Sequence, residues 1–370
     1  LRIGVADGGN SVYKAIITRC TFDGNHARNS DDGNQGSNIF INTKDTSTII
    51  IDGTNTFTNK GERGSMIYVA QSGEFFLTGV TFDLASGATR NFRAIRINGK
   101  VTARFENCRF IDNGFDGSSN QQGFAILVGN DNSQLCDARL YINSCVFTDC
   151  GSTRTGTQFM INTNSPLLSF ENSVINFSQN SAVQRSACIR TFRYCTFCVR
   201  NCIFDFNDRC TSTLKGAAIH YCYYRNWGNY DDDDVEISGC TFNRCHSSDY
   251  RVIAAKPWRT PTLFNCTISN MPAGQYIVRI EPKTQLTSPL KFEEFVFRNN
   301  IVNAPHTGGA GIWVQSTNQL LFTACQFEGL SNTNTGINND GGALGYSTDA
   351  NLQNIEYRIE GCSFKNNKPA

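Results

Sequence analysis

The chain is poor in the features that mark most functional classes. It has 8 Pro and 4 His in 370 residues, and the His, at positions 26, 220, 246 and 306, show no paired spacing. No apolar run approaches the roughly 18 residues of a membrane-spanning helix. Residues 1–30 lack the basic-then-apolar pattern of a secretory leader. Charge of one sign is also missing: 33 Lys plus Arg stand against 32 Asp plus Glu, a net of +1. Overall charge therefore steers the protein toward neither nucleic acid nor an anionic membrane. Neither a nucleic-acid partner nor direct membrane insertion is expected. Helical periodicity is absent, and no pattern implies a cofactor. The opening on Leu1 rather than Met points to a processed product or part of a longer protein.

What the chain does have is a repeat. Its clearest copy is Ile359-Glu360-Gly361-Cys362-Ser363-Phe364-Lys365-Asn366-Asn367. Taking Phe364 and its equivalents as anchors gives twelve units, at Phe22, Phe57, Phe82, Phe110, Phe147, Ile175, Phe204, Phe242, Ile268, Phe297, Phe327 and Phe364, spaced 25 to 38 residues apart. Two places before the anchor, eight of the twelve carry Cys; the others carry Asn55, Val80, Ser173 and Phe295. Three places earlier again stands an apolar residue, except that Ile51 lies one place out, as a single inserted residue would produce.

The Cys-x-Phe pair reads as a short strand with one face buried, because strand side chains alternate. The apolar residue before it, often with another two places earlier, forms a second strand. The two residues between, such as Glu106-Asn107, Ser238-Gly239 and Glu360-Gly361, suit a sharp bend. A third strand lies between units, with inward pairs such as Ile39 and Ile41, Ile95 and Ile97, Phe159 and Ile161, and Leu344 and Tyr346. A chain of 370 residues exceeds the size of a single hydrophobic core, whereas a solenoid grows by adding coils. The expectation is an all-β chain: one right-handed parallel β-helix over residues 1–370, with about twelve coils and three short strands per coil.

The tetrads Phe22 to Asn25, Phe110 to Asn113, Phe204 to Asn207, Phe297 to Asn300 and Phe364 to Asn367, with Gly341-Gly342-Ala343-Leu344, carry a family likeness. They resemble the FxxN and GGA(I/L/V) repeats of polymorphic outer-membrane proteins, the surface autotransporter adhesins of chlamydiae. The resemblance implies a β-helical fold, an adhesive surface role and an extracellular or cell-surface location. Two glycosylation acceptor patterns, at Asn176 and Asn265, agree with that location.

Several motifs bear on chemistry. The Cys column is read as small buried filling rather than a metal or redox array, since Val80 and Ser173 occupy the same place. Cys136, Cys150, Cys210, Cys222 and Cys245 fall outside it and are disulfide candidates. Asp231, Asp232, Asp233 and Asp234 form the densest acidic run, a weak calcium candidate that otherwise reads as a solvated turn. Tyr223, Tyr224, Trp227 and Tyr230 just upstream could supply an aromatic platform for a glycan, as could Trp313. Outward positions of the third strand read Phe40, Tyr68, Arg96, Leu127, Arg190, His220, Arg279 and Trp313, taken as an ordinary solvated face. That column holds no carboxylates, which weighs against the polysaccharide lyases and glycosidases that share β-helical folds.

The ends complete the reading. Ile3 and Val5 look inward, as do Cys362 and Phe364, and a following copy would place its Phe22 28 residues after Phe364, within the internal spacing. The expectation is a non-enzymatic structural protein that stacks head to tail into a filament or forms an adhesive stalk, with a glycan or host-surface ligand as a further partner. A carbohydrate-active enzyme is the alternative.

Overall fold

The computed structural model of the protein describes residues 1–4, 13–23, 36–43, 47–53, 55–58, 64–83, 92–113, 125–129, 136–150, 159–163, 165–177, 187–191, 194–207, 211–212, 218–221, 233–247, 252–272, 276–303, 309–315, 317, 319–333, 343–344 and 356–368. They form two compact units, Leu1–Arg193 and Tyr194–Ala370. Among the described residues all regular structure is β, and each unit is a parallel β-helix with three strands per coil.

In the first unit one sheet stacks Arg2–Gly4, Gly36–Thr43, Gly64–Gln71, Phe92–Asn98, Ile126–Val128, Phe159–Thr163 and Ala187–Thr191. A second stacks Lys14–Thr18, Thr48–Asp52, Gly73–Thr78, Val101–Glu106, Arg139–Asn143 and Leu167–Glu171. The third stacks Thr21–Asp23, Thr56–Thr58, Thr81–Asp83, Arg109–Ile111, Val146–Thr148 and Val174–Asn176. The second unit repeats this with Thr196–Arg200 through Glu356–Glu360 in its second sheet and Ile203–Asp205 through Ser363–Lys365 in its third. Its first sheet contains Ile219–Tyr221, Ile253–Ala255, Val278–Ile280 and Ile312–Val314.

Every anchor sits at the inward centre of a third-sheet strand. Parallel pairing in register sets Phe22 on Phe57, Phe57 on Phe82, Phe82 on Phe110 and Phe110 on Phe147. Their ring centroids lie 4.7, 4.9, 5.0 and 4.5 Å apart with planes within 18° of parallel. In the second unit Phe204 and Phe242 stack at 4.9 Å, and Phe297, Phe327 and Phe364 at 5.4 and 4.8 Å. These spacings are close to the strand separation of a sheet and suit offset ring stacking. Each buried ring contributes about 2 to 3 kcal/mol of apolar transfer.

The described bends rest on left-handed residues, in most cases followed by an inward polar or thiol side chain; Val80 and Phe295 at first bends and Met271 and Leu330 at second bends are apolar instead. At the first bend the positive-φ residues include Asn107, Asn172, Asn201, Gly239 and Gly361, the second member of each two-residue pair. The backbone N–H there donates to the next coil, as from Asn265 to Glu293 O at 2.8 Å. The Cys that follows donates its S–H to a carbonyl of the preceding coil: Cys108 to Leu77 O at 3.5 Å, Cys240 to Val199 O at 3.4 Å, Cys325 to Phe292 O at 3.2 Å. Asn55 does the same to Ile17 O at 3.2 Å and accepts the Cys20 N–H at 2.8 Å. The Cys column is therefore a hydrogen-bonding ladder as well as filling. The extra residue of the second repeat falls in the bend, since Ile17 pairs with Ile51 and Phe22 with Phe57.

The Asn of the FxxN tetrad serves the second bend. Asn113 donates to Phe82 O at 3.2 Å, Asn300 to Ile268 O at 3.0 Å, and Asn367 to Phe327 O at 2.9 Å. Asn300 Oδ1 accepts the Met271 N–H at 3.1 Å, and Asn367 Oδ1 the Leu330 N–H at 3.0 Å. Asn207 departs: it is itself the left-handed residue, with φ of 49°, and Phe206 turns inward beside it. Asn25 lies outside the described residues.

Some strand assignments need correction. Ile126 pairs with Ile161 and Val128 with Thr163, so the inward pair of that coil is Ile161 and Thr163 rather than Phe159 and Ile161. Leu344 is described but lies in no strand, and Tyr346 is outside the described residues. Ala187–Thr191 and Ile253–Ala255 are first-sheet strands without the expected pair signature, and Thr211–Ser212 with His246–Ser247 and Ile301–Val302 with Ser331–Asn332 form short parallel pairs after the second bend.

Two substitutions test the bends. Asn300→Ala strands the Met271 N–H and Ile268 carbonyl, and is expected to lower the unfolding free energy by about 2 to 4 kcal/mol; Asn300→Cys keeps a donor and costs about 1 kcal/mol. Ala324, at φ of 54°, occupies a first bend, and Ala324→Gly is expected to stabilise by roughly 0.5 kcal/mol as left-handed strain is relieved. Urea unfolding reads both.

Candidate functional site

The described residues of highest interest lie in three places. The first is the coil formed by Glu356–Glu360 and Ser363–Lys365. Its inward residues Tyr357, Ile359 and Phe364 are 51%, 49% and 47% exposed, whereas their counterparts one coil earlier, Leu320, Phe322 and Phe327, are at most 2% exposed. Cys362 is half-buried and donates to Phe322 O at 3.5 Å. In the first coil Ile3 is half-buried, Phe22 likewise, and Ile16 on the outer face is 59% exposed. Val5 lies outside the described residues.

The second place is the outer face of the first sheet. It was expected to be solvated; Tyr68, Arg96, Leu127, Arg190 and His220 are instead each at most 6% exposed, while Phe40, Arg279 and Trp313 are half-buried. Alternation fixes which way a strand side chain points; exposure depends on what else packs there. In the second unit the column runs Ala254, Arg279, Trp313 in register. The Arg279 guanidinium lies 4.3 Å from the Trp313 ring centre and 5.8 Å from that of Tyr276, a cation held over two aromatic faces. Arg279 also pairs with Glu281, which accepts Lys256 at 2.9 Å. Burial pushes the Glu281 carboxyl up, but Lys256 and Arg279 outweigh it and hold the group below the usual carboxylate range. Trp313, expected as an aromatic platform for a glycan, is half-buried. Lys256, which had no signal in the sequence, comes from the preceding coil, whereas Tyr276 and Glu281 flank Arg279 on its own segment. The cluster's single carboxylate is engaged by two cations, where glycoside hydrolysis uses a spaced pair.

The third is Asp233. Rather than a solvated turn, it is 1% exposed. Its carboxylate accepts the backbone N–H groups of Trp258 and Arg259, each at 2.6 Å, and the Tyr221 hydroxyl. Tyr221 Oη in turn accepts the Cys195 N–H at 3.2 Å. Burial pushes the Asp233 carboxyl above its usual range, exceeding the opposing effect of the Tyr221, Arg259 and Trp258 hydrogen bonds. Its oxygens are thus committed to the fold. Asp234 is exposed; Asp231, Asp232, Tyr223, Tyr224, Trp227 and Tyr230 lie outside the described residues. Among the described residues no group of three His, Cys, Asp or Glu could hold a metal ion.

The disulfide expectation is corrected in part. Cys136, Cys150 and Cys245 are buried thiols outside any disulfide, and they serve bends: Cys150 donates to Phe110 O at 3.4 Å, Cys245 to Phe204 O at 3.5 Å, and Cys136 to Gly99 O at 3.1 Å. Cys150 and Cys245 stand at the Asn place of the FxxN tetrad, where a thiol replaces the amide donor. Burial pushes Cys150 up to about 12, which keeps it protonated and inert. Hydrogen bonds from Cys202 and Cys266 pull Cys240 down, and the same contact pushes Cys266 up. Cys210 and Cys222 lie outside the described residues. Of the glycosylation candidates, Asn265 is exposed at a bend, whereas Asn176 is a half-buried strand residue with its amide oxygen covered.

A shallow groove on the second sheet, lined by Arg104, Glu106, Tyr141, Asn143, Ser169 and Glu171, had no sequence signal. Its members are adjacent only because parallel pairing sets Arg104 beside Tyr141, the guanidinium 4.2 Å from the ring centre. Comparisons with protein-family models, with curated proteins and with solved structures returned no match.

Two measurements follow. Because the folded Asp233 carboxyl sits above its unfolded value near 3.9, its contribution to stability is complete below that value and is lost as pH rises through the folded value. Asp233→Asn removes this loss, so the melting temperature of the wild type relative to the variant should fall as pH rises above about 4 and level off once the folded carboxyl has ionised. Thiol titration of unfolded, unreduced protein should return at least the 14 described thiols that lie outside disulfides; native protein should react slowly at the buried ones.

Proposed function

We propose that this chain is a non-catalytic structural β-helix of an extracellular or cell-surface assembly, associating head to tail through its terminal coil edges. The observation that carries the reading is the half-exposed Tyr357, Ile359 and Phe364, which occupy ladder positions buried in the coil before. An edge strand with free N–H and C=O groups beside such apolar surface is a template for another strand. A heterologous contact of this kind builds a filament instead of a closed dimer. The FxxN likeness to surface adhesins supports the location and the stalk role. Trp313, part-exposed beside Arg279, is the described residue best suited to touch a glycan or host-surface ligand.

The test is sedimentation velocity across a concentration series together with electron microscopy of the purified chain. Assemblies that lengthen with concentration are expected, and Ile359→Lys or Phe364→Lys should abolish them while the chain still melts cooperatively, at a somewhat lower temperature because each contacts the coil before it. Monodisperse particles at the highest concentration would sink the proposal.

A further inference from the structure

The coil edges also contain information about how two copies would meet, an inference that rests on the head-to-tail reading above. Interior ladders pair each coil with the next at constant register: Phe322 with Ile359, Phe327 with Phe364, Ile17 with Ile51, Phe22 with Phe57. We infer that the intermolecular contact continues this register, with Glu356–Glu360 of one copy paired in parallel to Lys14–Thr18 of the next and Ser363–Lys365 paired to Thr21–Asp23.

Three independent features match in that register and in no neighbouring one. Inward, Ile359 meets Ile17 and Phe364 meets Phe22, extending the ring stack in which Phe327 and Phe364 already lie 4.8 Å apart. Outward, Glu356 comes opposite Lys14 and Lys365 opposite Asp23, and all four are exposed. At the bend, Gly361 N–H faces Thr18 O as Ala324 N–H bonds Glu360 O at 2.8 Å, and Cys362 N–H faces Cys20 Sγ as Cys325 N–H bonds Cys362 Sγ at 3.4 Å. A slip of one residue turns Ile359 and Phe364 outward, because strand faces alternate. A two-fold antiparallel pairing of Glu356–Glu360 with itself, centred on Arg358, sets that arginine against its own copy. Like charges directly opposite in a sheet are destabilising.

The experiment uses two full-length variants, Asp23→Lys and Lys365→Asp, first alone and then mixed. Alone, each sets like charges across every junction. Mixed, the two form alternating polymers in which Lys at position 23 faces Asp at position 365, and native Asp23 faces native Lys365. Each variant alone is expected to raise the concentration needed for assembly about three- to tenfold, and the equimolar mixture to return it to the wild-type value. Unchanged melting temperatures establish that both variants fold. If the single variants assemble like wild type, or if mixing fails to rescue, the register is wrong while head-to-tail association stands. If wild type does not assemble, both the register and the reading beneath it fail.

Discussion

The constraint on which the rest of each unit depends is that every coil lies on its neighbour in parallel and in register. A side chain on one coil then meets the residue at the same place on the next, about 4.8 Å away. That is why Phe rings stack nearly face on face from Phe22 to Phe147. It is also why a substitution in one coil is felt by both coils adjoining it. In such a solenoid the core is a set of columns, and stability accumulates by neighbours instead of around one centre.

Strand pairing alone leaves the corners unsettled. A bend interrupts the strand, and its backbone groups are buried where water cannot serve them. At many of its bends the chain answers with a short inward donor: Cys108 or Asn55 at the first bend, Asn300 or Cys150 at the second. Thiol and amide interchange because the task is one donor aimed at the carbonyl of the coil before, together with an acceptor for a backbone N–H, as Asn300 Oδ1 serves Met271 and Cys362 Sγ serves Cys325. The Asp233 site solves a similar problem with a larger part, its carboxylate receiving two backbone N–H groups and the Tyr221 hydroxyl.

The same register explains the contrast between the last two described coils. Tyr357, Ile359 and Phe364 are about half exposed, while Leu320, Phe322 and Phe327 at the same ladder places are covered by the coil that follows them. The head-to-tail association proposed above would cover them in the same way. The Arg279, Trp313 and Tyr276 cluster differs, since its cation and carboxylate already satisfy one another.

Residues read in order were enough to determine the coil: anchors, bends, second strands and the inserted residue near Ile51 all follow from spacings within one repeat. Inwardness was legible because period-two alternation is local. What only the tertiary structure decided depends on neighbours remote in sequence. The burial of Tyr68, Arg96 and His220, the enclosure of Asp233 by Trp258 and Arg259, and the pairing of Glu281 with Lys256 involve segments whose meeting no local spacing encodes. The role of Cys150 and Cys245 as bend donors was hidden for a related reason. Their partners, the carbonyls of Phe110 and Phe204, stand 40 and 41 residues away in sequence, brought within reach by the stacking of one coil on the next.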